Sequence, residues 1–143
     1  MRMPAEWEPH ERTLMGWPCR ADLWGETMDQ ARADYAAVAN AIAAFEPVTM
    51  IANPGDDAAA ARAACSSGVE VVELPLDDSW LRDCGPIYVY GDDGRRRAVR
   101  GPTGRAELVA GVRRVPLPDR RRQTVGRARR PPRAAPRAVR RPE

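Results

Sequence analysis

The sequence contains no lysine: all 23 basic side chains among its 143 residues are arginines. That bias, with abundant Ala, Gly and Pro, is the mark of a GC-rich coding sequence. Histidine occurs once, at His10, and cysteine three times, at Cys19, Cys65 and Cys84. Their spacing fits no metal-ligand pattern, which argues against zinc. An odd number of thiols, with no signal-peptide pattern at the start, predicts reduced cysteines and a cytoplasmic setting. No apolar run approaches the roughly 20 residues of a membrane span.

What is present divides at Gly94. Residues 1–94 hold six arginines and seventeen acids, a net of −11, whereas residues 95–143 hold seventeen arginines and three acids, a net of +14. The overall +3 conceals this inversion. Residues 101–143 contain thirteen Arg, seven Pro and no aromatic residue. Such text cannot bury enough apolar surface to offset its ordering entropy, so 95–143 is expected to be a disordered Arg/Pro-rich tail. Its charge would bind nucleic-acid phosphates without sequence preference, and it lacks the aromatics that stack on bases.

Residues 1–94 alternate strand and helix patterns. Residues 1–12 read as an extended opening segment, and Thr13–Trp17 as a short strand ended by Pro18. Thr27 is placed to cap a helix from Met28 to Phe45, with Ala31, Tyr35, Val38, Ile42 and Phe45 as its apolar stripe. Pro47–Ala52 is a strand closed by Asn53-Pro54-Gly55, and Asp56–Cys65 is an alanine-rich helix ended by Ser66-Ser67-Gly68. Val69–Leu74 and Ile87–Tyr90 read as strands, and Gly91–Gly94 as a hairpin-type turn. The order predicts an α/β fold.

Between the last two strands lies Leu76-Asp77-Asp78-Ser79-Trp80-Leu81-Arg82-Asp83-Cys84-Gly85-Pro86. Gly85-Pro86 marks a turn and places the polar residues at a strand end. Asp77, Asp78 and Asp83 together would attract a cation, and Trp80 offers a flat face to a planar, delocalised one. A guanidinium fits best, because a carboxylate accepts two of its N–H bonds in one plane. Arg82 could instead hold one of these aspartates. The bland alternative is a solvated turn, against which Trp80 weighs, being costly to leave on a loop.

This motif resembles the first signature of the agmatine deiminases, the group that includes the Porphyromonas-type peptidylarginine deiminases. So do Arg2 to Glu11, Thr13, Trp17-Pro18, Val38 to Ala43 and Phe45 to Val48, in order up to Gly94. The resemblance implies the first module of a pentein-type α/β propeller, truncated here. It implies hydrolysis of agmatine to N-carbamoylputrescine and ammonia, a step toward putrescine, with no cofactor. In that chemistry a cysteine thiolate attacks the guanidinium carbon to form a covalent amidino-thioether, a histidine acts as acid and base, and carboxylates grip the nitrogens. The resemblance makes Asp83 a substrate-binding carboxylate and Trp80 its matching tryptophan, with Asp77 and Asp78 in support. It supplies no catalytic residue: the nucleophile and base belong to later modules, and no His follows His10 and no Cys follows Cys84. Cys84 reads as a neutral replacement, Cys65 as packing, and His10 as structural or as lining the site mouth.

The chain is therefore expected to be an inactive N-terminal fragment of two parts, 1–94 and 95–143, the second out of frame from a junction near codons 95–101. Peptidylarginine as substrate, or a nucleic-acid-binding role for the tail, are the alternatives. The sequence leaves the oligomeric state open.

Overall fold

A computed structural model describes residues 1–9, 11–100 and 106–114; His10, residues 101–105 and residues 115–143 lie outside the described part. The chain runs through β1 (Thr13–Gly16), α1 (Ala21–Trp24), a 3-10 turn (Gly25–Thr27), α2 (Met28–Ala43), β2 (Val48–Ala52) and α3 (Asp56–Ala64). It continues through β3 (Val69–Glu73), α4 (Leu81–Cys84), β4 (Pro86–Tyr90), β5 (Arg96–Arg100) and α5 (Ala106–Arg114). This is mixed α/β. Strands β1, β2 and β3 form a parallel sheet in that order, with Thr13 opposite Val48 and Val48 opposite Val69. Strands β4 and β5 form a separate antiparallel hairpin, Tyr90 opposite Arg96.

Parallel neighbours need crossovers, and α2 and α3 supply them. Every residue of central β2 is buried. Alternation along the strand sends Val48, Met50 and Ala52 to one face, where they meet Ala36 and Ala39 of α2 and Ala58 and Ala61 of α3. Ile51 points the other way, into a cluster with Leu76, Leu108 and Val112. Edge strand β3 carries Glu70, ion-paired to Arg12 at 2.9 Å, and Glu73, ion-paired to Arg62 at 2.8 Å.

The structure corrects three expectations. The buried positions of α2 are Ala31, Ala36 and Ala39, while Val38 is half exposed and Phe45 is 76% exposed. Alanines let the helix lie close to the sheet, so Ala36 and Ala39 join Ala31 and Ile42 of the expected stripe on the contact face, while Val38 and Phe45 turn outward. Thr27 makes no cap: its hydroxyl donates to the Trp24 carbonyl at 2.6 Å, because the 3-10 turn runs directly into α2.

The third correction concerns the tail. Arg96–Arg100 is a strand and Ala106–Arg114 a helix, where disorder was expected from residue 95 onward. Strand β5 becomes tolerable because Arg97 pairs with Asp93 at 2.9 Å and Arg96 pairs with Glu11 and lies over the Tyr88 ring. Helix α5 presents Leu108, Val109 and Val112, all buried. Gly111 allows its close approach, since a Cβ there would sit 2.6 Å from the Leu74 side chain. The rest of the predicted tail lies outside the described residues.

Candidate functional site

The acidic motif leaves the end of β3, crosses the end of β1 and closes in one helical turn. Gly16 makes that crossing possible: a Cβ on it would come within 3.0 Å of Ser79 Cα. Leu76 is buried against the second core cluster and Ser79 is buried beside it, so the loop has an inward half. Asp77, Trp80 and Asp83 are exposed, and they form its outward half.

The turn expected at Asp83 is helix α4. Its first amides close on Trp80, with the Asp83 and Cys84 N–H groups donating to the Trp80 carbonyl at 3.0 and 3.1 Å. Trp80 stands at the N-cap position and Asp83 follows three residues later. That spacing leaves both side chains exposed within one short segment of the turn. Together they can offer a flat face and a planar acceptor to the same guest.

Asp78 belongs to the inward half. One carboxylate oxygen accepts the Ser79 N–H at 2.7 Å, and the other lies 3.4 Å from Arg20 Nη1. Arg20 is held by Asp22, with Nη2 to Oδ2 at 2.6 Å and Nε to Oδ1 at 3.2 Å. The Tyr35 hydroxyl meets the Ser79 hydroxyl at 3.2 Å. The Leu76 N–H donates to Asn53 Oδ1 at 2.8 Å. Arg82 forms an ion pair with Glu6 at 2.6 Å, both side chains well exposed.

The sequence puts Asn53 in a turn and Tyr35 in an apolar stripe, and it does not single out Arg20. Nothing in their spacing announces contact with residues 76–79, because each reaches the loop from a different element.

The thiols are poorly placed for nucleophilic work. Cys84 Sγ lies 3.2 Å from the Trp80 carbonyl and 3.7 Å from that of Asp78, within reach to donate to either. Burial, then the nearby acids Asp78, Asp83 and Asp77, push its ionisation up from 9.0, although a local backbone hydrogen bond works the other way. Cys19 is raised for the same reasons, with burial first and Asp57 next, and Cys65 by burial alone. A thiol kept protonated is a weak nucleophile. Among the described residues, no group of His, Cys, Asp or Glu gathers that could hold a metal ion.

A cleft of about 880 Å³ opens elsewhere, between the opening segment and the β4–β5 hairpin, lined among others by Glu6, Glu11, Arg12, Tyr88, Tyr90 and Arg96. Asp77, Asp78, Trp80 and Asp83 do not line it. Its charges are largely matched internally: Glu11 with Arg96, Glu8 with Arg2, and Arg12 with Glu70. We place the candidate site at the exposed turn, where an aromatic face and an acid coincide.

Known proteins bear on that choice. The sequence profile of the Porphyromonas-type peptidyl-arginine deiminases matches residues 2–105. The chain belongs to this family. The match runs past Gly94, where the sequence resemblance was placed to end, and takes in β5. Among relatives in the family, the agmatine deiminase of Pseudomonas aeruginosa is 50% identical over 98 residues, covering 68% of this chain and 27% of that protein. Among solved structures, the agmatine deiminase of Enterococcus faecalis aligns with a TM-score of 0.63 and 34% identity over 68% of this chain and 26% of its own. An agmatine deiminase of C. jejuni aligns with a TM-score of 0.61, covering 69% of this chain and 30% of its own; at 22% identity it shows the fold alone. The chain thus spans about a quarter of these deiminases. No described helix is long and apolar enough to cross a membrane.

Proposed function

We propose that this chain forms the guanidinium-gripping part of an agmatine deiminase, with Asp83 as the acceptor and Trp80 as the flat wall. The observation that carries the reading is that Trp80 at the N-cap of α4 and Asp83 within it are both exposed, three residues apart, in a member of this family. A guanidinium held there would lay its plane against the indole and give two N–H bonds to the Asp83 carboxylate. Asp77 sits on the same exposed stretch and adds negative potential. Asp78 contributes through loop shape. The family reaction would convert agmatine to N-carbamoylputrescine and ammonia, and the fold would be the first module of a pentein-type propeller.

Hydrolysis also needs a thiolate and an acid–base group. Burial and the nearby acids push up the ionisation of Cys84, the thiol beside the motif, and the sequence has one histidine, His10. We therefore propose that the chain as it stands binds the guanidinium without turning it over. Purified protein with agmatine in a ureido colour assay should match a Cys84→Ala control; turnover above the control would make Cys84 the nucleophile. In a full-length relative, changing the matching aspartate to Asn should cost about 2–4 kcal/mol of transition-state stabilisation, about 30- to 1000-fold in rate. Near-normal turnover there would reduce Asp83 to a turn residue.

Peptidyl-arginine is the second substrate reading, favoured by the exposure of Trp80 and Asp83; benzoyl-arginine amide competing with agmatine for binding would support it. The out-of-frame origin of the distal text remains a proposal, and resequencing the locus tests it. Non-specific nucleic-acid binding would fall to arginines outside the described residues, since Arg96 and Arg97 are already paired with acids.

A further inference from the structure

We propose that Arg20, Tyr35 and Asn53 are positioning residues that hold the acidic loop in its ligand-ready shape, with Asp78 as the latch that Arg20 closes on. The inference rests on the guanidinium reading above and assigns the division of labour within the motif.

Three elements distant in sequence each grip a successive point of one short loop. Asn53, at the end of β2, accepts the Leu76 N–H at 2.8 Å. Arg20, just before α1, reaches the Asp78 carboxylate at 3.4 Å. Tyr35, in α2, meets the Ser79 hydroxyl at 3.2 Å. Each gripping side chain is itself held. The Asn53 amide donates to Asp57 Oδ2 at 3.2 Å, which fixes its orientation. Arg20 is clamped by Asp22. The Tyr35 ring packs edge-on against Trp24, with centroids 6.3 Å apart.

Asp78 lies between the two points that Asn53 and Tyr35 hold, and Arg20 reaches it directly. Both of its oxygens have partners, the Ser79 N–H and Arg20, and its side chain is only 20% exposed. An incoming guanidinium would have to share this carboxylate with Arg20 and the Ser79 N–H. Trp80 is 52% exposed and Asp83 is exposed three residues on. The loop is thus fixed on its inner side and presented on its outer side. A loop ordered beforehand loses less freedom when a ligand arrives, so the restraints should appear in affinity.

The test uses the full chain, agmatine as the probe, and amide hydrogen exchange at Leu76 and Ser79. Arg20→Ala should weaken agmatine binding about tenfold and speed Ser79 exchange by a similar factor, with the melting temperature unchanged because Arg20 is a surface residue. Arg20→Lys should recover part of both, keeping the charge but losing the two-point hold on Asp22. Tyr35→Phe keeps the ring packing and should give a smaller loss in the same two readouts. Asp83→Asn should weaken binding without changing exchange, which separates grip from latch. Tighter agmatine binding by Arg20→Ala would overturn the proposal, since Arg20 would then be a competitor for Asp78. Unchanged affinity and exchange would overturn it too. If the unmodified chain binds no agmatine, the guanidinium reading fails by itself. The exchange arm still decides the latch: faster Ser79 exchange in Arg20→Ala supports it, and unchanged exchange sinks it.

Discussion

The two faces of β2 are closed by different kinds of material. One meets α2 and α3 through alanines, and both helices are the connections between neighbouring strands. The other meets Leu76, Leu108 and Val112, drawn from the acidic loop and from a helix in the Arg-rich part of the chain. The first face is built by local order in the sequence. The second depends on text some fifty residues beyond the strand it covers. The candidate site hangs from the second, since Leu76, Leu81 and Cys84 all pack there.

Substitutions on each face measure the difference. Met50→Ala removes a fully buried side chain from the first face and should cost about 2–5 kcal/mol in urea unfolding. Leu108→Ala on the second face should cost about 2–3 kcal/mol, at the low end of the same range because the surrounding cluster is smaller. Equal losses would show the second face to be as deeply packed as the first. A Leu108→Ala loss near zero would show that α5 does not close it.

The thiols give a finer contrast. Cys65 packs on the first face, Cys19 and Cys84 on the second, and all three ionise above their usual 9.0. Alkylation by iodoacetamide at pH 8 should therefore be slower in the folded chain than in urea at all three. Because the folded chain holds these protons more tightly, stability should decline as pH rises above 9.0. A folded-state rate at Cys84 equal to the urea rate would contradict its burial.

The smallest effect should come from the opening segment. Hydrogen bonds from Arg2 and then from the Ala5 amide lower the ionisation of Glu8 below 4.5. A depressed carboxylate contributes stability above its unfolded value and loses it as pH falls, so residues 2–8 should loosen below pH 4.5 while the sheet persists. Glu8→Gln should abolish that pH dependence, and the amide exchange of Ala5 reports it.

Much of this architecture was legible in the residues. The strands and the helices α2 and α3 follow from alternation, alanine content and turn residues, and the motif with Trp80 and Asp83 stood out by chemistry. The misses have a common cause. Helix α2 turned its alanines inward because close approach to a sheet rewards small side chains over a broader stripe. Strand β5 hid in a run of arginines, since its pairing depends on Glu11 and Asp93 neutralising Arg96 and Arg97. Helix α5 is amphipathic, but its apolar residues acquire meaning only once Ile51 offers a face to cover. Arg20, Tyr35 and Asn53 were invisible as site residues because their roles are set entirely by the tertiary fold.

The glutamates of β3 have a consequence for how the molecule behaves in company. A parallel edge with free backbone groups is a template on which another chain can nucleate. Here any newcomer must pass two carboxylates already committed to Arg12 and Arg62, one at each end of the useful register. Salt screens such pairs, and neutralising the acids dissolves them. Removing both charges, as in a Glu70→Gln, Glu73→Gln variant, should therefore raise the association of the chain seen in light scattering.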